Sequence, residues 1–327
     1  MQKVTVSGGE SLREGFDVVT GGAGFIGSHI SRGLLQRGRS VKVIDNLSSG
    51  RLTNIADLKE EFPESFEFVE ADIRDLENVK EQLKGAKVVY HQAAIPSVQR
   101  SVENPIGSNE ANIDGTLNVF VAARDAGVAR VVFASSSSVY GDSEILPKEE
   151  SMQVDPISPY AVAKYANELY GRVFSNIYCL PCVGLRYFNV FGPYQDPGSD
   201  YAAVIPKFIT RMLRQKPPII FGDGEQSRDF TYVENVVAAN LAAASSEAGG
   251  VSVNIACGER YSLNQLVGKL NEILGTDLVP VYEDPRQGDV KHSLAAIENA
   301  RDLIDFKPRI GFLEGLRLTV DWYRKCF

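Results

Sequence analysis

Histidine, tryptophan and cysteine are all scarce in this chain: three histidines, one tryptophan and four cysteines among 327 residues. Cys179-Leu180-Pro181-Cys182 has the spacing of a redox or metal pair. No second pair accompanies it, and His29, His91 and His292 are all distant in sequence, so neither a zinc site nor a thioredoxin-like role is expected. Cys182 reads instead as the start of a buried strand, and the thiols as reduced. Basic blocks are also missing, and the net charge is −8 with a pI near 5.1. That balance argues against nucleic acid or an acidic membrane surface as partner. No apolar run reaches the roughly 18 residues of a membrane span, and the first residues lack the basic-then-apolar order of a signal peptide. The expectation is a soluble, cytoplasmic protein with no metal.

What is present is regular. A chain of this length can bury a full core, as one large domain with a smaller lobe. Met1 to Gly15 is polar and reads as an extension. Phe16 to Thr20 is a short apolar strand, followed at once by Gly21-Gly22-Ala23-Gly24-Phe25-Ile26-Gly27 and then a helical pattern to Leu35. Strand, glycine-rich turn and helix in that order form a dinucleotide cradle, where backbone can approach a pyrophosphate at the positive end of a helix. The next strand ends in Asp45-Asn46, about 20 residues on, where a carboxylate can accept from ribose hydroxyls and repel a 2′-phosphate. NAD rather than NADP is therefore the expected cofactor.

Three further strands follow. Phe66 to Glu70 runs into Asp72-Ile73, whose acid can meet the adenine amino group. Lys87 to Ala94 carries Gln92-Ala93-Ala94, small enough to let backbone pass close to the cofactor. Arg130 to Ala134 runs into Ser135-Ser136-Ser137-Ser138-Val139-Tyr140-Gly141. Asn112 to Ala126 reads as a helix, because Ile113, Leu117, Phe120 and Val121 recur on one face. This alternation means an α/β fold: a Rossmann-type, doubly wound parallel sheet with ligands at the carboxyl ends of its strands.

Ser158-Pro159-Tyr160 opens another helix, with Pro159 suited to its first turn. Tyr160 and Lys164 then share one face, roughly 5–6 Å apart at Cβ. A phenol titrates near 10 when left alone, and a nearby ammonium is expected to lower it enough to act as a base.

Taken together, the glycine turn, Asp45-Asn46, the serine run ending in Val139-Tyr140-Gly141, Pro159-Tyr160 with Lys164, and Leu185-Arg186-Tyr187-Phe188-Asn189 resemble extended short-chain dehydrogenases. More closely, they resemble nucleotide-sugar 4-epimerases of the UDP-glucose and UDP-N-acetylglucosamine type. The resemblance runs from about Phe16 to the C-terminus. It implies an NAD-binding domain over 16–190, with segments returning from the C-terminal half, and a nucleotide-sugar lobe over 191–327. Ser136 would be the catalytic hydroxyl, Tyr160 the base and Lys164 the residue holding the nicotinamide ribose, with Phe188 bordering the nicotinamide.

On the substrate side the resemblance implies Ser137, Ser138 and Asn189 toward the sugar and diphosphate, and Ala203-Val204 with Ile220-Phe221 around the uracil. Arg228 and Arg286 would clamp the diphosphate, with Asp289 beside the second; two arginines give planar, charge-assisted pairing to such a group. Ser97 is a further candidate hydroxyl, in Ile95-Pro96-Ser97, where one branch of the family has a lysine that this chain lacks. Ser293 stands where some relatives carry a tyrosine facing the C2 substituent of the sugar, and its smaller side chain leaves room for an N-acetyl group. The implied reaction withdraws hydrogen from C4, turns the 4-keto sugar and returns the hydrogen to the other face. UDP-glucuronate epimerisation and nucleotide-sugar 4,6-dehydration share the fold, although Ser137 and Ser138 stand where dehydratases and decarboxylases usually carry an acid. An NAD-sensing protein without catalysis is the reading from another class. A homodimer, paired through the Asn112 and Tyr160 helices, is also implied.

Overall fold

The computed structural model describes Leu12 and residues 15–198, 203–285 and 291–326. Apart from Leu12 and Gly15, the N-terminal extension lies outside these, as do Arg286 and Asp289.

The apolar runs become seven parallel strands of one sheet: β1 (Phe16–Thr20), β2 (Val41–Asp45), β3 (Phe66–Glu70), β4 (Ala86–His91), β5 (Arg130–Ser136), β6 (Cys182–Tyr187) and a last strand, Val251–Ile255. Their spatial order is β3-β2-β1-β4-β5-β6 and then Val251–Ile255. The chain winds outward from β1 through β2 and β3, then crosses back to β4 on the other side. Between β1 and β4 the direction of winding reverses, which opens a crevice at the carboxyl ends of the strands.

Alternate side chains take opposite faces of this sheet. Val19, Val43, Val132 and Leu185 cluster with Ile30 and Leu34 of helix α1 (Phe25–Leu35), and with Val236 and Val237 of the Val233–Ser245 helix. Val18, Val89, Val131 and Phe133 cluster instead with Phe120 of the Gly115–Asp125 helix and Phe174 of the Pro159–Tyr178 helix. With both faces covered, β1, β2 and β6 are buried at every position, as parallel sheets require.

The Pro159–Tyr178 helix starts where its sequence predicts. Ser158 caps it by accepting from the Ala161 N–H at 3.2 Å, and Pro159 occupies the first turn. It lies close on the sheet at Gly171, where a Cβ would come within 2.8 Å of the Phe133 ring. That close approach brings Lys164 down onto β5. The helix expected from Asn112 differs at its start: α-helix is already present over Pro105–Asn109, and a π-turn over Glu110–Asp114 joins it to the Gly115–Asp125 helix. Asn112 lies within the π-turn, fully buried, its Oδ1 accepting from Ile95 N at 2.7 Å while Nδ2 donates to Ile95 O at 3.1 Å.

A second lobe is built from the Val204–Leu213, Leu263–Leu274 and Phe312–Cys326 helices around Phe191, Phe208, Phe230 and Phe312. Among the described residues no helix is long and apolar enough to cross a membrane, and no group of His, Cys, Asp and Glu could hold a metal ion. All four cysteines are free; Cys182 opens β6 as expected, and burial pushes its thiol up to about 12.

Candidate active site

The glycine turn joins β1 to α1 with almost no room for side chains. Gly21 adopts a positive φ of +67°, and a Cβ there would lie 2.6 Å from Ala93 N, so both conformation and space demand glycine. A Cβ on Gly27 would run into the Gly21 carbonyl. Helix α1 begins at Gly24 with no side-chain cap and no acid in its first turn. The first-turn N–H groups, those of Phe25, Ile26 and Gly27 among them, are therefore open to an anion at the positive end of the helix.

Asp45, at the end of β2, accepts from Ala23 N at 3.0 Å and from Leu47 N at 2.8 Å, fixing the glycine turn against the next strand. Burial raises its pKa, and these backbone donors partly offset the rise. Asn46 donates to Asp72 at 2.9 Å, and Arg74 holds the Asp72 carboxyl well below its ordinary range. Arg51, downstream of this strand end, pairs with Asp196 at 2.5 Å. An acid at the strand end and an uncapped helix behind three glycines fit a dinucleotide with a free ribose diol. The Ile73 side chain is buried against Gly115, which leaves its backbone as the part available to an adenine. Gln92 turns its amide away as well, accepting from Tyr187 OH at 3.1 Å and donating to Asn240 at 3.2 Å. Ala93 and Ala94 continue beyond it at the crevice, half-buried.

Ser136, Tyr160 and Lys164 come together at the carboxyl end of β5. The Ser136 hydroxyl faces the Tyr160 phenol closely enough to favour its ionised form. Ser136 Oγ also accepts from Ser138 N at 3.2 Å and from Ser138 Oγ at 2.9 Å, which leaves its own proton to be donated. Lys164, 4% exposed, donates to Ala134 O at 2.9 Å.

One expectation about this group fails. Lys164 Nζ lies 5.7 Å from the centre of the Tyr160 ring, yet burial raises the phenol above its ordinary value of 10 and only the Ser136 hydroxyl opposes that rise. Desolvation wins because Lys164 is itself buried, which lowers its pKa to about 8, and its ammonium is turned to a carbonyl.

On the substrate side, Asn189, Ala203, Val204 and Arg228 line one cleft of about 230 Å³. Arg228 is oriented there by donating to Ser227 O at 3.0 Å and Lys291 O at 3.2 Å. Ser293 is tied to the same strand, its N–H donating to Ser227 O at 2.9 Å. Ser137 and Ser138 occupy the 3₁₀ turn after β5. Four of the expected residues do not line this cleft. Ile220 is fully buried in the lobe core, and Phe221 lines a separate recess with Tyr282, Glu283 and Asp284. Phe188 is also fully buried, packed with Val139 and Tyr140, so it supports the serine turn from beneath. Ser97 caps the Val98–Glu103 helix, accepting from Arg100 N at 3.3 Å.

Two buried networks escaped the sequence reading. Thr20 Oγ1 and Thr116 Oγ1 bracket the His91 ring at 2.7 and 2.9 Å. Because Thr116 donates its own proton to Asn112 O at 2.8 Å, Nε2 must donate to Thr116 and Nδ1 accept from Thr20. Burial drives the His91 pKa down to about 3, so the ring is neutral and this tautomer is kept. In the second network Glu168 accepts from Ser135 Oγ at 2.5 Å and pairs with Arg186 at 2.7 Å; Arg186 donates to Tyr140 OH at 2.8 Å. The signal for Glu168 was its spacing: Tyr160, Lys164 and Glu168 recur every four residues on one helix face.

The sequence model of the NAD dependent epimerase/dehydratase family matches residues 18–256. A solved UDP-N-acetylglucosamine 4-epimerase from Methanobrevibacter ruminantium M1, in complex with UDP-N-acetylmuramic acid, is 43% identical with a TM-score of 0.91, covering 97% of this chain and 100% of that one. A UDP-glucose 4-epimerase of Mycolicibacterium smegmatis is 38% identical over 94% of this chain and 98% of its own length. A UDP-glucuronic acid 4-epimerase from Bacillus cereus, solved with UDP-glucuronic acid and NAD, is 31% identical with a TM-score of 0.87, covering 95% and 99% of the two chains.

Proposed function

Because the chain belongs to the NAD dependent epimerase/dehydratase family, we propose that it is a UDP-hexose 4-epimerase that interconverts UDP-N-acetylglucosamine with UDP-N-acetylgalactosamine, and UDP-glucose with UDP-galactose. The observation that carries this reading is the Ser136, Tyr160 and Lys164 cluster, at the mouth of the glycine cradle, on the sheet whose β6 leads into the Arg228 cleft. The relatives share nearly the whole chain, which supports UDP-sugars as the substrate class. The cradle, Asp45 and Lys164 would hold NAD, and NAD supplies the two-electron acceptor that takes hydrogen from C4 and gives it back.

The chain's own part is proton chemistry and grip. Tyr160 receives the proton of the 4-hydroxyl, while Ser136 donates a hydrogen bond that favours the phenolate. Lys164 keeps its ammonium beside the ring at 5.7 Å, and Arg228 holds the diphosphate as the keto sugar turns. Reversing the proton step on the other face inverts C4 with no net redox change. The protein fed a panel of UDP-sugars without added NAD, with the products separated, tests this directly. Exclusive turnover of UDP-glucuronate, or formation of a 4-keto-6-deoxy sugar from dTDP-glucose, would overturn it.

The N-acetyl preference rests on Ser293, a small residue tied beside Arg228 through Ser227. Ser293→Tyr lowers turnover of UDP-N-acetylglucosamine at least tenfold more than that of UDP-glucose, the order of discrimination a filled pocket supplies. Equal losses on both sugars would remove Ser293 from specificity.

We also infer two regions along the chain, an NAD-binding part over 16–190 completed by later segments and a nucleotide-sugar lobe over 191–327. Assembly is proposed as a homodimer. Val162, Leu169, Val173 and Ile177 form one exposed stripe on the Pro159–Tyr178 helix, with Ile177 68% exposed, and Val102 and Ile106 stand exposed on the short helices beside it. An apolar face of this extent calls for a partner, and a second copy offers the same stripe in return. Light scattering of the wild-type chain gives a dimer mass that Ile177→Glu reduces; a monomeric wild type at micromolar concentration contradicts the proposal.

A further inference from the structure

Asp229 follows the arginine of the substrate cleft, yet its side chain points away from that cleft into the protein and is fully buried. One carboxylate oxygen accepts from Cys257 N at 2.9 Å; the other accepts from Gly258 N at 3.0 Å and Ala295 N at 3.3 Å. Its backbone carbonyl accepts from Asn189 Nδ2 at 3.2 Å. Four chain segments therefore converge on one residue: the turn after β6 that carries Asn189, the Ser227–Arg228 strand, the turn that follows the last strand of the main sheet, and the segment that carries Ser293.

We propose that Asp229 is the positioning residue of the substrate cleft: its ionised carboxylate, by gathering three backbone N–H groups, holds Arg228, Asn189 and Ser293 in register with the cofactor-binding sheet. The inference rests on the nucleotide-sugar reading of that cleft. Three N–H donors on one carboxylate are charge-assisted bonds, and a protonated acid satisfies them poorly because one oxygen becomes a donor. Binding of the nucleotide sugar consequently weakens when this group takes up a proton.

Burial raises the Asp229 pKa from 3.8 to about 6, against the pull of the three N–H groups. The sign separates a local effect from unfolding. A carboxyl whose pKa is higher folded than unfolded takes its proton more readily in the folded state, so protonation near pH 6 favours the fold as a whole while releasing the cleft. The charged and titratable groups near it are Arg228, its neighbour in the chain, Cys257, Glu259 and Tyr261 on the facing turn, and Lys291 and His292 on the segment paired with Ser227. Of these, His292 needs a control, because its Nδ1 lies 2.8 Å from Ser227 Oγ and its pKa is lowered from 6.5.

The test compares wild type, Asp229→Asn and His292→Gln between pH 5 and 8 with UDP-glucose, whose diphosphate carries no terminal phosphate titrating near pH 6. Binding is read by calorimetry, turnover as separate kcat and KM, and folding by near-ultraviolet circular dichroism. In the wild type the dissociation constant for UDP-glucose rises about tenfold from pH 7.5 to pH 5, and His292→Gln keeps this acid limb. In Asp229→Asn, KM is raised about tenfold at pH 7.5, kcat changes less than threefold and the acid limb is gone. A wild-type dissociation constant that does not vary with pH overturns the proposal, even if the Asn variant fails to fold. So does an Asn variant that keeps the wild-type KM, or loss of the limb in His292→Gln. A wild type that binds no UDP-sugar at any pH sinks the nucleotide-sugar reading and this proposal with it.

Discussion

Tyr160→Phe lowers kcat for UDP-sugar interconversion by about 10³-fold and leaves KM within about threefold, since positioned acid–base groups contribute on the order of 10²–10⁴. The substitution removes only the proton acceptor. The Tyr160 backbone is held independently, its N–H donating to Ser101 Oγ at 3.0 Å, and the ring keeps its place between the serine turn and Lys164. Ser136 loses one partner but retains both hydrogen bonds from Ser138. Initial rates with the products separated give the ratio; a Phe variant that keeps more than about a tenth of the activity would mean the phenol is not the base. Ser136→Ala has the smaller effect, because the serine assists a proton transfer that it does not itself carry out.

Glu168→Ala destabilises the fold by about 3–5 kcal/mol, the range for removing one partner of a buried ion pair. Both side chains are 6% exposed. A guanidinium keeps its charge in any protein environment, and Arg186 is buried, so truncating Glu168 leaves a cation that can neither lose its charge nor reach water. Urea unfolding of the variant against wild type measures the loss. Replacing both partners by Met is expected to cost less than the single truncation, since no buried charge is then left over. A single variant within about 1 kcal/mol of wild type would show that Arg186 finds other acceptors. The damage also reaches Ser136, because this network pins the turn at both ends. Ser135 is bonded to Glu168, and Tyr140 OH, receiving from Arg186, donates to Asn254 at 2.7 Å.

The elements that were legible from sequence are those whose signal is local. β3 runs from Phe66 to Glu70 as read, and the Pro159–Tyr178 helix opens at the proline. The glycine turn was legible because Gly24 and Gly27 answer to Gly21 within the turn and Gly22 to Val43 on the next strand, although the contact that crowds Gly21 is with Ala93, far along the chain. What escaped the reading depends on neighbours far along the chain. Asn112 was taken for the first residue of a helix, but its amide is spent on Ile95, 17 residues earlier. Phe188 and Ile220 carry apolar side chains that suit a ligand wall and a protein core equally, and only tertiary packing decides between them. The phenol of Tyr160 is the instructive case: spacing gave its distance from the ammonium, whereas the pKa turns on desolvation, which no local pattern records.

The last strand of the sheet, Val251–Ile255, is supplied by residues that follow the Arg228 cleft in sequence. During synthesis the first 190 residues therefore emerge with the outer edge of β6 still unpaired, every residue of it apolar or destined for burial. A naked edge of that kind invites pairing with other chains. Fragments ending before Val251 should aggregate, because the sheet is completed only by a strand that comes late in the chain.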